Sequence, residues 1–487
     1  MAPNSPPDIN GLFEPTELEG TKAQASSGSV FVATAELETE YTAGASPNGG
    51  YGWVCTAAVA IINMHSWGFS SAYAVFLAHY LDTDIFPGTT SLDYAFIGGL
   101  SLTCLFLISP VATICVGRFG IRPVMLAGML LESVSLVCAS LASQPWHLFL
   151  TQGVLFGLGL GLLFIPTAAV IPQWFTTRRS LATGFALAGA ALGGTVYSLA
   201  AGAMIRNLGL HWALRVLGLL AFVVNTSMII LVRDRNKATA GAIRNPFQIK
   251  HFKMLGFWLL VAFGGFTMLG YFILIFTLAS FANHLGLDSS KASIVSAIFN
   301  LGQAVGRPLV GYLSDRFGRI NMAAIMTLLA GILPLAMWVC TQTYTTLVSF
   351  AMFEGIVGGV FWAAIAPLMI EVVGMKDVAS GLTPMWLSLA IPCTFSEAIA
   401  LTMVKDTGSY LGTQLFTGFM YIIAAGCLFL LRGWKISRMG MESSQRENAL
   451  GGSDTSQQGN QKVEVVSPIF HRGAIGNVLK SFRWMKV

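Results

Sequence analysis

The sequence predicts an all-α integral membrane protein in which twelve transmembrane helices form two six-helix halves. Three observations indicate this fold class. Hydrophobic residues make up 54% of the 487 residues and charged residues only 10%. Polar residues separate long apolar runs, and one polar stretch divides those runs six and six. A soluble domain carries about 25% charged residues and rarely exposes large apolar patches. The composition therefore excludes a soluble enzyme or a disordered regulator as the main body.

The charge, the cysteines and the missing motifs exclude further classes of function. A net charge of +5 is too small for a nucleic-acid-binding protein, which concentrates basic residues on one face. The seven cysteines lie inside apolar runs, without metal-ligand or disulfide spacing. The sequence has no phosphate-binding loop and no catalytic motif such as His-Glu-x-x-His. We therefore expect no enzyme activity, no cofactor, no metal and no nucleic-acid partner.

A membrane-spanning helix needs about 20 apolar residues, and polar breaks divide the chain into twelve runs of suitable length. The first half holds predicted spans at Trp53–Tyr80, Tyr94–Val116, Pro123–Ala142, His147–Ile171, Leu181–Ile205 and Trp212–Val232. The second half holds predicted spans at Leu255–Ala282, Ala292–Leu313, Ile320–Cys340, Thr345–Ile370, Ala379–Val404 and Leu411–Leu431.

The basic residues predict the orientation of these spans, because Lys and Arg concentrate in the cytosolic loops of membrane proteins. If both termini lie in the cytosol, the outer loops hold only Arg206, Lys291 and Lys405. Nearly all other loop Lys and Arg residues then lie inside. We therefore expect a multi-pass protein of the plasma membrane with both termini in the cytosol.

The polar stretches divide the chain into five predicted segments. Residues 1–48 are acidic and rich in Ser, Pro and Gly, which is typical of a disordered tail. Residues 49–232 and 254–432 form the two halves, and the basic stretch 233–253 links them. Residues 433–487 form a cytosolic tail.

The end of the tail has the pattern of a helix that lies on a lipid surface. Its apolar residues recur at helical spacing, and Lys480, Arg483 and Lys486 supply basic charge. Membrane lipid is therefore an expected partner, and a solvated, disordered tail is the alternative. The apolar positions are Ile475, Val478, Leu479, Phe482 and Met485.

The strongest motif is Gly-Tyr-Leu-Ser-Asp-Arg-Phe-Gly-Arg at Gly311–Arg319, and its Arg-Phe-Gly recurs at Arg118–Gly120 in the first half. It resembles the inner-loop motif of the major facilitator superfamily, whose repeated halves rock about a central site. An acid at a helix end can pair with basic groups or with the N-terminus of a neighbouring helix. A basic loop that only sets the orientation is the alternative. The implied gating residues are Asp315, Arg316, Arg319 and Arg118.

Two further stretches resemble the monocarboxylate porter family, and the loop Arg118–Pro123 together with the acidic tail is similar to the fungal branch of that family. Pro47–Trp53 is similar to the family motif before span one, with Asn48 in place of an acid. Trp174–Gly184 is similar to the second family motif. The resemblance covers about Pro47 to Arg432 and implies transport of a small organic anion by alternating access.

The resemblance also implies coupling residues. Proton-coupled members of the family carry a Lys late in span one, and an Asp and an Arg one turn apart in span eight. Arg307 matches the Arg, whereas Gln303 stands at the Asp position and Ser71 at the Lys position. We therefore expect Arg307 to clamp an anion, with weak or no coupling to protons. The alternative is that Arg307 reaches along the helix to the cytosolic surface.

Other polar residues lie at membrane depth. Asn63 and His65 lie in span one and Glu397 in span eleven. Each could contact substrate, and His65 or Glu397 could carry a proton. Each could equally be a structural group. Trp362 and Trp386 could stack on a ring-bearing substrate or pack the core.

These features favour secondary active or facilitative transport of a small, monocarboxylate-like organic anion. The first alternative is an efflux transporter that exports a fungal secondary metabolite. The second is a transporter-like nutrient sensor. The sequence leaves open the substrate, the direction of transport and the use of protons.

Overall fold

The computed structural model describes residues 48–83, 85–86, 88–235 and 245–451. Within these residues every regular element is a helix, which confirms the predicted all-α class. The predicted N-terminal tail up to residue 47, residues 236–244 of the predicted linker and the predicted lipid-surface helix lie outside the described residues.

Helices α1 to α6 correspond in order to the first six predicted spans. Two of them are irregular: α2 consists of Ser91–Leu107 and Ser109–Phe119, and α4 (Pro145–Gln173) contains a π-helical turn at Phe149–Leu155. The regular helices are α1 (Tyr51–Thr83), α3 (Ile121–Ala139), α5 (Arg179–Leu208) and α6 (Leu210–Leu231).

Helices α7 to α12 follow a short helix at Ile249–Phe252 and correspond to the last six spans. Helix α9 (Arg319–Trp338) ends in a π-helical turn, and α10 (Tyr344–Val373) is interrupted at Gly359. The others are α7 (Leu255–His284), α8 (Ser289–Phe317), α11 (Val378–Thr407) and α12 (Leu411–Gly451).

Nine helices in the described part of the chain are long and apolar enough to cross a membrane, or ten if the bent α2 counts as one span. The remaining two, α1 and α8, bury polar side chains in mid-helix, among them Asn63 and Gln303. These side chains lower the apolar character of helices that carry the candidate site. The helix order is that of the predicted twelve-span fold.

Proline and charge explain where two helices depart from their predicted spans. Helix α2 bends by 43° because Pro110 has no N–H to donate to the preceding turn. Helix α12 continues past its predicted end at Leu431 to Gly451. There Arg438 and Glu442 form an ion pair of 3.0 Å across one helical turn. The segment from residue 433, predicted as a tail, therefore begins as helix.

One face of the molecule carries the loops α2–α3, α4–α5, α8–α9 and α10–α11. We call it the basic face, because Arg118, Arg178, Arg319 and Lys376 lie there. Near this face the two halves meet along two helix pairs, α2 with α11 and α5 with α8.

Hydroxyl groups join α2 to α11. Ser109 Oγ donates to Thr383 O at 3.2 Å, and the hydroxyl oxygens of Thr113 and Thr383 lie 2.7 Å apart. These bonds connect the first half to the second on the basic side of the membrane.

Glycines allow α5 to pack closely against α8. A Cβ atom added at Gly184 would collide with the backbone of Arg307, and one at Gly311 would collide with the backbone of Ser180. Only residues without a side chain permit such a close approach of two helices. With both helix pairs in contact, the basic face is shut in this conformation.

Candidate functional site

Arg307 lies inside the protein, with only 6% of its surface exposed. Its Nη1 donates to Leu187 O at 2.6 Å, and its Nη2 donates to Gln303 Oε1 at 2.5 Å and to Tyr271 Oη at 3.3 Å. Its Nε has no hydrogen-bond partner among the described residues. The guanidinium therefore does not extend to the basic face, as the alternative considered for it would require.

The partners of Arg307 are all neutral. They are a backbone carbonyl, the amide of Gln303 and the phenol of Tyr271, whose hydroxyl also donates to Gln303 Oε1 at 2.7 Å. Withdrawing a cation from water costs several kcal/mol unless an opposite charge compensates it. The site therefore favours a ligand that brings a negative charge.

A polar strip connects Arg307 to α1. Gln303 Nε2 donates to Asn300 Oδ1 at 3.4 Å, and Asn300 Nδ2 and Ser71 Oγ both lie against Gly194 of α5. The structure thus brings three predicted residues, Ser71, Gln303 and Arg307, to one side of α8. Sequence analysis missed Asn300, although its position one turn before Gln303 places it on the same helix face.

The other predicted substrate residues lie apart from this strip. Asn63 donates to Ala186 O at 3.0 Å. His65 bonds Ile61 O at 2.8 Å through Nδ1 and packs edge-on against Tyr197, so it joins α1 to α5. Glu397 is partly exposed on α11. None of the three is among the hydrogen-bond partners of Arg307 in the described residues.

A small central cavity of about 20 Å³, which is room for about one water molecule, lies between helices of both halves. Leu187 lines this cavity and also accepts the hydrogen bond from Arg307, so the cation borders the cavity wall. Asn63 lines it as well. The cavity is otherwise bounded by Val59, Phe164, Thr167, Ala168, Ile171, Thr183, Ala186, Trp362, Ile365, Ala366 and Trp386.

On the basic face, Asp315 of α8 caps the N-terminus of α5. Its two carboxylate oxygens accept hydrogen bonds from Ser180 N at 3.1 Å and Leu181 N at 3.0 Å. Helix α5 has no side-chain cap of its own, and a negative charge at a helix N-terminus is favourable. This is the interhelical pairing predicted for an acid in the motif.

Arg319 extends this contact across the face. Its Nη1 lies 2.7 Å from Glu371 Oε1 of α10, its Nη2 donates to Thr176 O at 3.0 Å, and its Nε lies 3.4 Å from Asp315 Oδ1. Lys435 of α12 donates to Glu371 O at 2.5 Å. We call Asp315, Arg319 and Glu371 the latch. Sequence analysis missed Glu371, which carries no motif of its own.

Arg316 and Arg118, which we predicted to take part in gating, lie outside the latch. Arg316 is exposed, with its guanidinium 5.7 Å from the ring of Phe317. Arg118 repeats the arrangement at 5.6 Å from Phe119. Neighbouring residues of a helix point in different directions, so Arg316 cannot share the contacts of Asp315.

The equivalent contact in the first half is different. Gly117 occupies the place of Asp315, and the acid lies instead at Asp377, immediately before α11. Lys250 donates to Asp377 at 2.5 Å and Gln248 donates to it at 3.0 Å. Burial raises the pKa of Asp377, but these hydrogen bonds and the charge of Lys250 outweigh it and lower the pKa below its usual value. Asp377 is therefore ionised at neutral pH and ties α11 to the inter-half linker.

The amide of Asn48 accepts backbone hydrogen bonds at the position where the related motif has an acid. Its Oδ1 accepts hydrogen bonds from Thr176 N at 2.7 Å and Thr177 N at 3.0 Å. Thr176 also bonds Arg319 of the latch. The segment before α1 is thereby joined to the basic face.

Comparisons with known proteins agree with this architecture. The sequence profile described as Major Facilitator Superfamily matches residues 55–278 and 260–475. The chain is 35% identical over 399 residues to the probable transporter MCH2 of Saccharomyces cerevisiae, covering 80% of this chain and 84% of that protein. It is 33% identical to the uncharacterized transporter ESBP6 of the same yeast, covering 80% of this chain and 60% of that protein.

Two more comparisons extend the set. The Agnestins efflux protein AgnL12 of Paecilomyces divaricatus is 26% identical, over 76% of this chain and 85% of that protein. The solved structure of the proton:xylose symporter XylE bound to 6-bromo-6-deoxy-D-glucose has a TM-score of 0.61 at 14% identity, covering 78% of this chain and 95% of that chain. The chain belongs to the Major Facilitator Superfamily and is a multi-pass membrane transporter.

Proposed function

We propose that this protein carries a monocarboxylate-like organic anion across the plasma membrane by alternating access. In this proposal the basic face and both termini lie in the cytosol. The observation that supports it most directly is Arg307, a buried cation whose hydrogen-bond partners are all neutral. The motifs shared with monocarboxylate porters add support.

The position of Arg307 connects binding to movement. Its side chain starts on α8 of the second half and bonds Leu187 O on α5 of the first half. A carboxylate can accept two parallel hydrogen bonds from a guanidinium and would compete with Leu187 O for these donors. Substrate binding would therefore weaken one bond between the halves at the place where they must separate.

Export of a metabolite is the second candidate for the direction of transport. Similarity to a protein named as an efflux protein for agnestins favours it. The chemistry of the site is the same in both directions. Everted and right-side-out vesicles loaded with the same radiolabelled anion would separate uptake from export.

The test of the proposal is transport by Arg307 variants in proteoliposomes, with short monocarboxylates as probes. We expect both Arg307→Ala and Arg307→Lys to lose roughly ten- to a hundred-fold in transport efficiency, because a charged hydrogen bond contributes about 1.5–3 kcal/mol. Lys keeps the charge but lacks the planar fork. Arg316→Ala is the matched control, since that Arg lies exposed on the same helix. Wild-type transport by Arg307→Ala would refute the anion clamp.

A further inference from the structure

Five aromatic side chains from both halves form one cluster beside the central cavity. We call Trp67, Phe164, Tyr271, Trp362 and Trp386 the aromatic box. Ring centroids lie 5.2 Å apart for Trp67 and Trp362, 5.4 Å for Phe164 and Trp386, and 6.2 Å for Tyr271 and Trp362. The first two contacts cross from one half to the other, so the box lies where the halves part.

The indole N–H groups of the box are not all in use. Trp362 donates to the hydroxyl of Tyr271, but Trp67 Nε1 and Trp386 Nε1 are buried without a hydrogen-bond partner among the described residues. Arg307 Nε is also buried without a hydrogen-bond partner among the described residues. Buried donors in proteins almost always have an acceptor. Three unused donors in and beside the aromatic box therefore favour a ligand that supplies acceptors there.

Of these three donors, only Trp386 Nε1 belongs to a residue that lines the cavity, and the amide of Asn63 in the same wall already donates to Ala186 O. Phe164, Trp362 and Trp386 all line the cavity. The hydroxyls of Thr167 and Thr183, which also line it, already donate to backbone carbonyls of their own helices at 2.6 and 2.9 Å. A matching ligand is therefore planar, apolar on its faces and rich in acceptor oxygens.

We propose that the substrate is an aromatic carboxylate whose ring binds in the aromatic box while its carboxylate binds Arg307. This inference rests on the proposed function and specifies its substrate class. Tyr271 joins the two parts, since its hydroxyl bonds both Arg307 and Trp362. Ether or carbonyl oxygens on the ring accept hydrogen bonds from Trp67 and Trp386.

The same geometry explains how a ring can enter a cluster that is already packed. Trp67 and Phe164 move with the first half, whereas Trp362 and Trp386 move with the second. As the halves part, the ring of Trp67 separates from Trp362 and the ring of Phe164 separates from Trp386. A substrate ring can then stack against the exposed faces in the offset or edge-on arrangements that aromatic pairs prefer.

The experiment measures counterflow by the purified full-length chain in proteoliposomes with three probes: butyrate, benzoate and 4-methoxybenzoate. All three carry one carboxylate. We expect benzoate to be transported at least tenfold more efficiently than butyrate. Trp386→Leu should abolish this preference. We also expect the wild-type protein to transport 4-methoxybenzoate more efficiently than benzoate, because the indole N–H groups can donate to the methoxy oxygen. Trp386→Phe and Trp67→Phe keep a ring but lose an N–H, so they should keep the preference for benzoate over butyrate and lose only the advantage of 4-methoxybenzoate.

Trp338→Phe is the matched control, because Trp338 Nε1 is also buried and unpaired but its ring stacks on Phe350 instead of the box. It should leave all three rates unchanged. If butyrate moves as well as benzoate in an Arg307-dependent manner, the box proposal is overturned and the anion clamp stands. If none of the three anions moves, both proposals are overturned.

Discussion

Asp315 shows how one side chain can hold two halves of a transporter together. Its carboxylate accepts two backbone N–H groups at the start of α5, donors that the first turn of a helix cannot satisfy itself. Arg319 then links the same carboxylate to Glu371. These contacts stabilise the conformation in which the basic face is shut, and the transport cycle must form them again each time that face closes.

We expect Asp315→Asn to slow turnover several-fold and to change KM little. A helix cap contributes about 1 kcal/mol, and the latch is remote from Arg307, so the loss affects the conformational step more than binding. Counterflow measured over a range of substrate concentrations separates the two parameters. Glu442→Gln is the control, because its ion pair with Arg438 lies on α12 alone. A raised KM with unchanged turnover would contradict the latch.

Single residues also show what can be predicted from a sequence. Asp315 was predictable because the motif places an acid at a helix end. Tyr271 and Glu371 were not, since each acts on a residue of another helix and no local pattern marks that contact. Arg316 follows Asp315 directly, yet the helix turns it about 100° away, so membership of a motif did not imply a shared role.

Among the elements, α5 of the first half and α8 of the second approach each other closely at two glycines. Gly184 and Gly311 allow the two backbones to touch where the halves join. The apolar runs predicted both helices, because a membrane requires long helical spans. Their mutual contact was not predictable, since glycine within a helix does not reveal which neighbour it faces.

We expect Gly184→Ala and Gly311→Ala to shift the population towards the conformation open at the basic face. Overpacking costs about 1–3 kcal/mol and is relieved when α5 and α8 separate. The measurement is the rate at which an aqueous thiol reagent labels a cysteine introduced at Ser180, which should rise in both variants. Gly265→Ala on α7 should not change it, because nothing lies within 4 Å of the added methyl group. Unchanged labelling in all variants would count against a tight α5–α8 contact.

At the scale of the whole molecule, the polar strip between the two halves bears on the coupling of transport to protons. Arg307, Gln303 and Ser71 lie along one strip, and none of the polar partners of Arg307 there is an acid. We expect substrate accumulation at fixed external pH to change less than about twofold when a protonophore is added. Protons then contribute little to the driving force.

The variant Gln303→Asp provides the contrast for this measurement. It places an acid one turn from Arg307, where a proton could compete with the guanidinium for the carboxylate. Its transport should become sensitive to the protonophore. If accumulation by the wild-type protein collapses with protonophore, another group such as His65 or Glu397 carries the proton.

The replacement of an acid by Gly117 makes the two joints between the halves mechanically unequal. The α5–α8 joint has the latch and backbone contact at two glycines, whereas the α2–α11 joint relies on hydroxyl groups such as Ser109 and Thr113. The weaker joint should part first, and the α5–α8 joint should part after it. The basic face would then open in two steps, with a gap between α2 and α11 that appears before the latch releases.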